Sequence, residues 1–307
     1  MKSNATNLPS SIHARLLAYA HREKTDFNLV LKRYGMERLL YRISKSRFSD
    51  RFVLKGAVLF IAWMDSLYRP TMELDLLAFG PSDAVSLNSV FREICGIACN
   101  EDGLFFVSES LQAEQIRESN DYGGIRLHIG TRLQKAEITL QVDCGFGDLI
   151  TPEAHKEQFP TILDLPRPYV LMYPKETVVA EKFEAIVRFG EANSRMKDYY
   201  DLWVLASDFS FNGGLVSTAI ENTFRQRKTT LPRRVPPGLH ESFVEHPSKQ
   251  TQWRAFIRKN EFSKIETDFG KTIRLVRSFV MPPLESLTIS KRFEQLWVPG
   301  GPWQELG

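Results

Sequence analysis

The 307 residues suffice for one large domain or two ordinary ones, and with 43% hydrophobic and 25% charged residues the chain can bury a substantial core. No run of eighteen apolar residues occurs, which excludes a membrane-spanning helix. The opening MKSNATNLPSSIH lacks the apolar stretch of a secretory signal, and three cysteines (Cys95, Cys99, Cys144) are too few for a disulfide framework, so a cytoplasmic protein is expected.

The net charge of +3 is unevenly spread. Residues 1–47 carry ten Lys/Arg against three acids, and FRQRKTTLPRR (224–234) carries five basic residues and no acid. Such stretches can neutralise phosphates or can form ordinary solvated helix faces; composition alone does not choose.

Apolar spacing predicts two helices over residues 10–47, with Phe27, Val30, Leu31 and Tyr34 on one face. RFVLKGAVLFIAWM then reads as a short extended entry, a break at Gly56 and a buried helix. MELDLLAF (72–79) alternates as a strand, 83–98 reads as a helix, and 105–143 is mostly β with turn signals at Asn120–Gly124 and Gly130. Residues 144–173 form a connection rich in Gly and Pro. After Pro174 the pattern becomes helical, over about 175–190, 195–208, 213–228, 239–246, 249–260 and 264–280. The expected organisation is α+β, with an N-terminal helical segment (1–50), a mixed-sheet core (51–173), a C-terminal helical domain (174–296) and a flexible tail (297–307).

The carboxylates carry the chemistry. In a strand, side chains at i and i+2 share a face ~7 Å apart, so Glu73 and Asp75 lie together while Met72, Leu74 and Leu76 turn the other way. Two acids on one side of an apolar strand repel each other and cost desolvation, which a divalent cation with hard-oxygen preference reverses. In ITLQVD (138–143), Thr139, Gln141 and Asp143 share the polar face. If that strand lies ~4.8 Å from the first, Asp143 joins the pair, and three acids can hold two metals ~3.5–4 Å apart for an in-line phosphoryl displacement. An acid-x-acid pair alone reads more readily as a solvated strand face; the order of Gly56, Glu73-x-Asp75 and a later lone Asp143 makes the pattern more specific. Gly270-Lys271-Thr272 lacks the first glycine of a P-loop, and the six histidines have no zinc spacing.

Five segments in order, RFVLKGAVLF (51–60), RPTMELDLLAFG (69–80), LQVDCGFGD (140–148), YPKETVVAEKFEAIVRFG (173–190) and NSRMKDYYDLWVLA (193–206), resemble the AbiEii/AbiGii nucleotidyltransferase toxins of bacterial toxin–antitoxin and phage-defence systems. The resemblance implies a polymerase-β-like nucleotidyltransferase core, an NTP substrate, Mg²⁺ or Mn²⁺, a cognate antitoxin, and an RNA acceptor, in some relatives a tRNA end. It implies that Glu73 and Asp75 are the paired metal acids, Asp143 the third, Lys182 the lysine near the nucleotide phosphates and Asp201 the acid of the last motif. Two positions depart from the family's usual pattern. Glu73 replaces an aspartate and reaches ~1–1.5 Å farther, a distortion Mg²⁺ tolerates poorly. Ala57 follows Gly56 where glycine or serine is usual, so an amide remains but no hydroxyl, and phosphate binding rests on backbone amides and Lys182. These departures motivate an alternative, a catalytically degenerate member that binds RNA or an antitoxin.

Other residues admit two readings. Lys55 reaches phosphate or ends a strand structurally, and Arg69 pairs with Glu73 or binds nucleotide. Arg188 binds nucleotide or pairs with Glu184 at i, i+4. Asp201 shares a helix face with Asp198; it positions Lys182, meets an acceptor hydroxyl, or pairs with Lys197.

Overall fold

The structure is a computed structural model that describes residues 8–64, 70–116, 123–259 and 266–305. The chain divides into two compact units, Met1–Gly147 with His155–Met172, and Asp148–Ala154 with Tyr173–Gly307.

The first unit contains helices α1 (Leu8–Arg22) and α2 (Phe27–Lys45), strand β1 (Phe52–Lys55), the short helix α3 (Leu59–Met64), β2 (Glu73–Ala78), α4 (Ala84–Cys95), and strands β3 (Leu104–Ile116), β4 (Gly124–Leu133), β5 (Ala136–Gly145), β6 (His155–Gln158) and β7 (Tyr169–Met172). The seven strands form one mixed sheet in the order β3-β4-β5-β2-β1-β7-β6. β2 runs parallel to β5 and β1 parallel to β7, and the other neighbours are antiparallel.

Alternation along β4 and β5 sends Ile125, Leu127, Ile129, Ile138, Leu140 and Val142 into the core, all buried. Helix α2, capped by Asp26 on the amides of Asn28 and Leu29, packs on that apolar face. Its Gly35 lets the helix approach: a Cβ there would stand 2.8 Å from Leu140 Cδ2. The opposite face of β4 and β5 carries polar side chains and glycines, and on β2 Glu73 and Asp75 share it with the buried Leu77. Met72, expected in the core, precedes the strand and is exposed.

The N-terminal basic residues are partly structural. Arg42 is buried and pairs with the fully buried Asp102 at 2.6 Å, Arg38 is buried and donates to the carbonyl of Pro166, and Arg33 pairs with Glu37. Helix α2 therefore spends much of its charge inside the fold instead of presenting it to solvent.

The stretch 144–173 is more than a connection, because β6 and β7 lie in it. β6 is exposed at all four positions and β7 is only four residues long, so neither carries a clear periodic signal.

The second unit contains α5 (Lys175–Phe189), α6 (Met196–Asp208), the two-residue strand β8 (Phe211–Asn212), α7 (Gly213–Gln226), α8 (Glu241–Glu245), α9 (Pro247–Lys259), α10 (Phe269–Thr288), β9 (Gln295–Trp297) and β10 (Trp303–Glu305). Helix α10 continues through Pro282 and Pro283, beyond the expected end at 280. Pro283 brings no N–H for the carbonyl of Phe279, four residues earlier. The indole N–H of Trp303 donates to that carbonyl at 3.0 Å. The segment from Trp297, expected to be flexible, is thereby docked: β9 and β10 form a small sheet with β8, Trp297 is fully buried, and its indole donates to Ala206 O. The basic stretch 224–234 is likewise partly consumed, since Arg227 pairs with Asp148, Glu181 and Glu184. Burial alone would lower the Arg227 pKa, but these carboxylates outweigh it and hold the value above the ordinary one.

Candidate active site

The sheet register brings the sequence-selected acids together. Asp75 on β2 is opposite Asp143 on β5 and, on its other side, opposite Lys55 at the end of β1. Glu73 is opposite Gln141. Register partners point to the same face, so Lys55, Glu73, Asp75 and Asp143 share the polar side of the sheet. All four are intermediate in exposure, so solvent reaches them and they are not core residues.

Gly56 fixes Asp75. Its φ of +74° lies in the left-handed region that glycine adopts without strain, and a Cβ there would collide with Asp75 Oδ2. The carboxylate thus rests against bare backbone at the turn into α3. Ala57 follows, buried, with its methyl inward. Gly56→Ala is expected to cost ~1–2 kcal/mol from backbone conformation alone, and more from the collision. Displacement of the Asp75 carboxylate should also lower transfer activity more than stability, read by comparing kcat with the midpoint of thermal unfolding.

Two residues not selected from the sequence complete this face. Arg126 on β4, opposite Asp143, grips it with two parallel hydrogen bonds, Nε to Oδ1 at 2.8 Å and Nη2 to Oδ2 at 2.7 Å. Gln141 donates from Nε2 to Glu73 Oε2 at 3.0 Å and lies 3.3 Å from both oxygens of Asp143. The Asp143 hydrogen bonds and charge, with the charge of Glu73, hold the Arg126 pKa above its ordinary value. Alternation in GIRLHIGTRL (124–133) places Arg126 on the polar face of its strand, but nothing in the sequence gives the register that sets it against Asp143. Arg69, expected to pair with Glu73 or to bind nucleotide, lies outside the described residues.

Hard carboxylate oxygens from Glu73 and Asp75 on one strand face fit a divalent cation, which Mg²⁺-type sites hold with one or two carboxylates plus substrate phosphates. The third acid is in register beside them, but its carboxylate is turned to Arg126. Among the described residues no group of three or more His, Cys, Asp or Glu side chains is gathered as a metal cage.

A second charged cluster lies within the other unit. Lys182 on α5 pairs with Asp198 at 3.0 Å and with Asp201 at 2.6 Å, both on α6. Arg195 joins Asp198 at 2.6 Å. Of the partners open to Asp201 in the sequence, the structure thus gives it Lys182. The side chains of Asp198 and Asp201 are 1% and 0% exposed, so both negative charges depend on these cations. Arg188 pairs with Glu184 at 3.6 Å, the ordinary i, i+4 contact, and its guanidinium also lies over Phe189.

Burial pushes the Asp198 pKa up, but Lys182 and Arg195 outweigh it, and the net shift is downward. A lowered folded pKa contributes stability that is full above the ordinary aspartate value of about 3.9 and is lost as pH falls through the folded value. Acidification below about pH 4 should therefore destabilise the protein, and Asp198→Asn should flatten that acid limb in a series of melts against pH. An unchanged limb would mean that Asp198 is not the group responsible.

Residues 38–274 match the family described as "Nucleotidyl transferase AbiEii toxin, Type IV TA system". The chain belongs to the AbiEii family. This agrees with the resemblance carried by its five sequence segments, and it makes this AbiEii chain a nucleotidyltransferase whose fold is a mixed-sheet unit followed by a helical one. Two solved structures from Helicobacter pylori are similar to it. One is JHP933, 14% identical, covering 85% of this chain and 97% of that one with a TM-score of 0.47. The other is named as a candidate nucleotidyltransferase, 14% identical, covering 83% and 94% with a TM-score of 0.45. No curated protein matches the AbiEii chain. No helix among its described residues is long and apolar enough to cross a membrane.

Proposed function

We propose that the chain transfers a nucleotide from an NTP to an acceptor hydroxyl on RNA, a tRNA 3′ end foremost, with Mg²⁺ (or Mn²⁺) bound by Glu73 and Asp75 and with Asp143 as the third acid. The observation that supports this most is the register of Asp75 with Asp143 on adjacent parallel strands, with Glu73 on the same face and the Gly56 backbone beneath.

The transfer consists of attack by the acceptor oxygen on the α-phosphorus and departure of pyrophosphate. A divalent cation supplies positive charge to the phosphates and to the oxygens whose charge changes. The chain's own residues do the rest. Lys55 offers an ammonium on the acidic face, and the amides at Gly56 and Ala57 offer donors to phosphate oxygens. Lys182, paired with Asp198 and Asp201, is the lysine the family resemblance assigns to the nucleotide phosphates, and Asp201 acts by holding it. Arg188, engaged by Glu184, is left with a secondary part in nucleotide binding. Catalysis of this kind is positioning and electrostatics, without a covalent enzyme intermediate. In the cell the activity would act as the toxin of a toxin–antitoxin pair in phage defence, restrained by an antitoxin encoded nearby.

The test is incubation of the purified chain with total RNA and each of the four NTPs, labelled on the α-phosphorus, in Mg²⁺ or Mn²⁺. The expected result is label on RNA with pyrophosphate released. Release of inorganic phosphate without an adduct would point to hydrolysis, and no product with any NTP would overturn the reading.

A further inference from the structure

Among the polar groups of the sheet, Arg126 stands out because both oxygens of the proposed third metal acid are already taken by its guanidinium. The side chains are 31% and 17% exposed, so this is a partly desolvated fork and not a loose surface pair. The register continues outward as one row, Lys55, Asp75, Asp143, Arg126 and Glu114, across β1, β2, β5, β4 and β3. Arg126 thus has a carboxylate on each side, Asp143 toward the acidic pair and Glu114 toward the sheet edge. Glu114 is well exposed, sits opposite Arg126 in the register and lies 3.6 Å from the half-exposed His128.

We propose that Arg126 is a built-in countercation for Asp143: it holds that carboxylate while no divalent cation is bound, and yields it, turning toward Glu114, when one arrives. This rests on the reading of Glu73 and Asp75 as cation ligands. Its physical basis is competition. A guanidinium making two charge-assisted hydrogen bonds and a divalent cation cannot both take the same two oxygens, and their positive charges repel. Arg126 also offsets the repulsion that three neighbouring carboxylates would otherwise feel. Arg126 is then a positioning residue that sets how readily the third acid joins the metal.

The test is direct binding of Mn²⁺ alone, followed by electron paramagnetic resonance, to the full chain and to Arg126→Ala, Asp143→Asn and the double variant. Arg126→Ala should bind Mn²⁺ about tenfold more tightly, the scale of losing one fork-like competitor, and Asp143→Asn should abolish that gain. Folding of each variant is checked by circular dichroism. Where Arg126→Ala does not fold, Arg126→Lys keeps the charge, loses the fork, and should show a smaller gain with the same dependence on Asp143. Unchanged Mn²⁺ affinity in Arg126→Ala, or a gain equally large with Asp143→Asn present, would overturn the proposal. The underlying reading fails separately: in that case Asp75→Asn leaves the Mn²⁺ affinity of the wild-type face untouched.

Discussion

Asp75→Asn is expected to fold as the wild type does and to lose nucleotide transfer by ~10²–10³-fold in kcat, the scale seen when a single preorganised electrostatic group is removed from an active site. The substitution keeps the volume that fits over Gly56 and leaves the backbone register with Lys55 and Asp143 intact. What it removes is the negative charge between Lys55 and Asp143 in the row. That charge does two things in the proposed mechanism: it holds the cation and it keeps the Lys55 ammonium on the acidic face. Structural loss is therefore expected to be small and chemical loss large. The measurement is initial rate at saturating NTP, with thermal unfolding as the control. A variant that retains more than about a tenth of the wild-type rate, against the 10²–10³-fold expected, would move the centre of the chemistry away from Asp75.

Lys182→Met should be the most damaging single change in the second unit. It takes the cation from between two carboxylates that are 1% and 0% exposed, leaving Asp198 with Arg195 and Asp201 without its 2.6 Å contact to Lys182. Breaking a buried pair by deleting one partner costs ~3–5 kcal/mol. For a unit of this size that corresponds to a fall of about 10 °C in melting temperature. The expected activity is nil, even at temperatures where the variant is folded. Lys182→Met with Asp201→Asn separates the two effects. Neutralising Asp201 as well should return part of the stability, while transfer stays absent because the ammonium proposed to meet the phosphates is still missing. Recovery of transfer along with stability would reduce Lys182 to a structural lysine.

Much of the first unit's polar face was legible because a strand's period is two. Glu73 and Asp75 fall two apart, and Asp143 falls in phase with Gln141, so each pair's common face could be read without knowing the fold. The register of Asp75 with Asp143 required the order of motifs as well. Arg126 was not legible. It precedes Asp143 by seventeen residues across a hairpin, and hydrophobic alternation fixes which face a side chain takes but not which residue it meets across the strand. β6 and β7 escaped for a different reason: one is wholly exposed and the other too short to show a period. Helix α10 was expected to end at 280 but runs on through Pro282 and Pro283, and Trp297 to Glu305 read as a loose end. Each depended on the other, because the Phe279 carbonyl left without a partner by Pro283 is the one Trp303 satisfies. Helix pattern reads local sequence, and this contact spans twenty-four residues.

The most direct measurement is a crystal structure of the chain with Mn²⁺ and a non-hydrolysable NTP, with the metal located by its anomalous signal. The expected result is a Mn²⁺ peak within about 2.2 Å of one oxygen each from Glu73 and Asp75, with the triphosphate bound to the same ion. A metal–nucleotide complex seated elsewhere, with neither carboxylate touching it, would contradict the assignment.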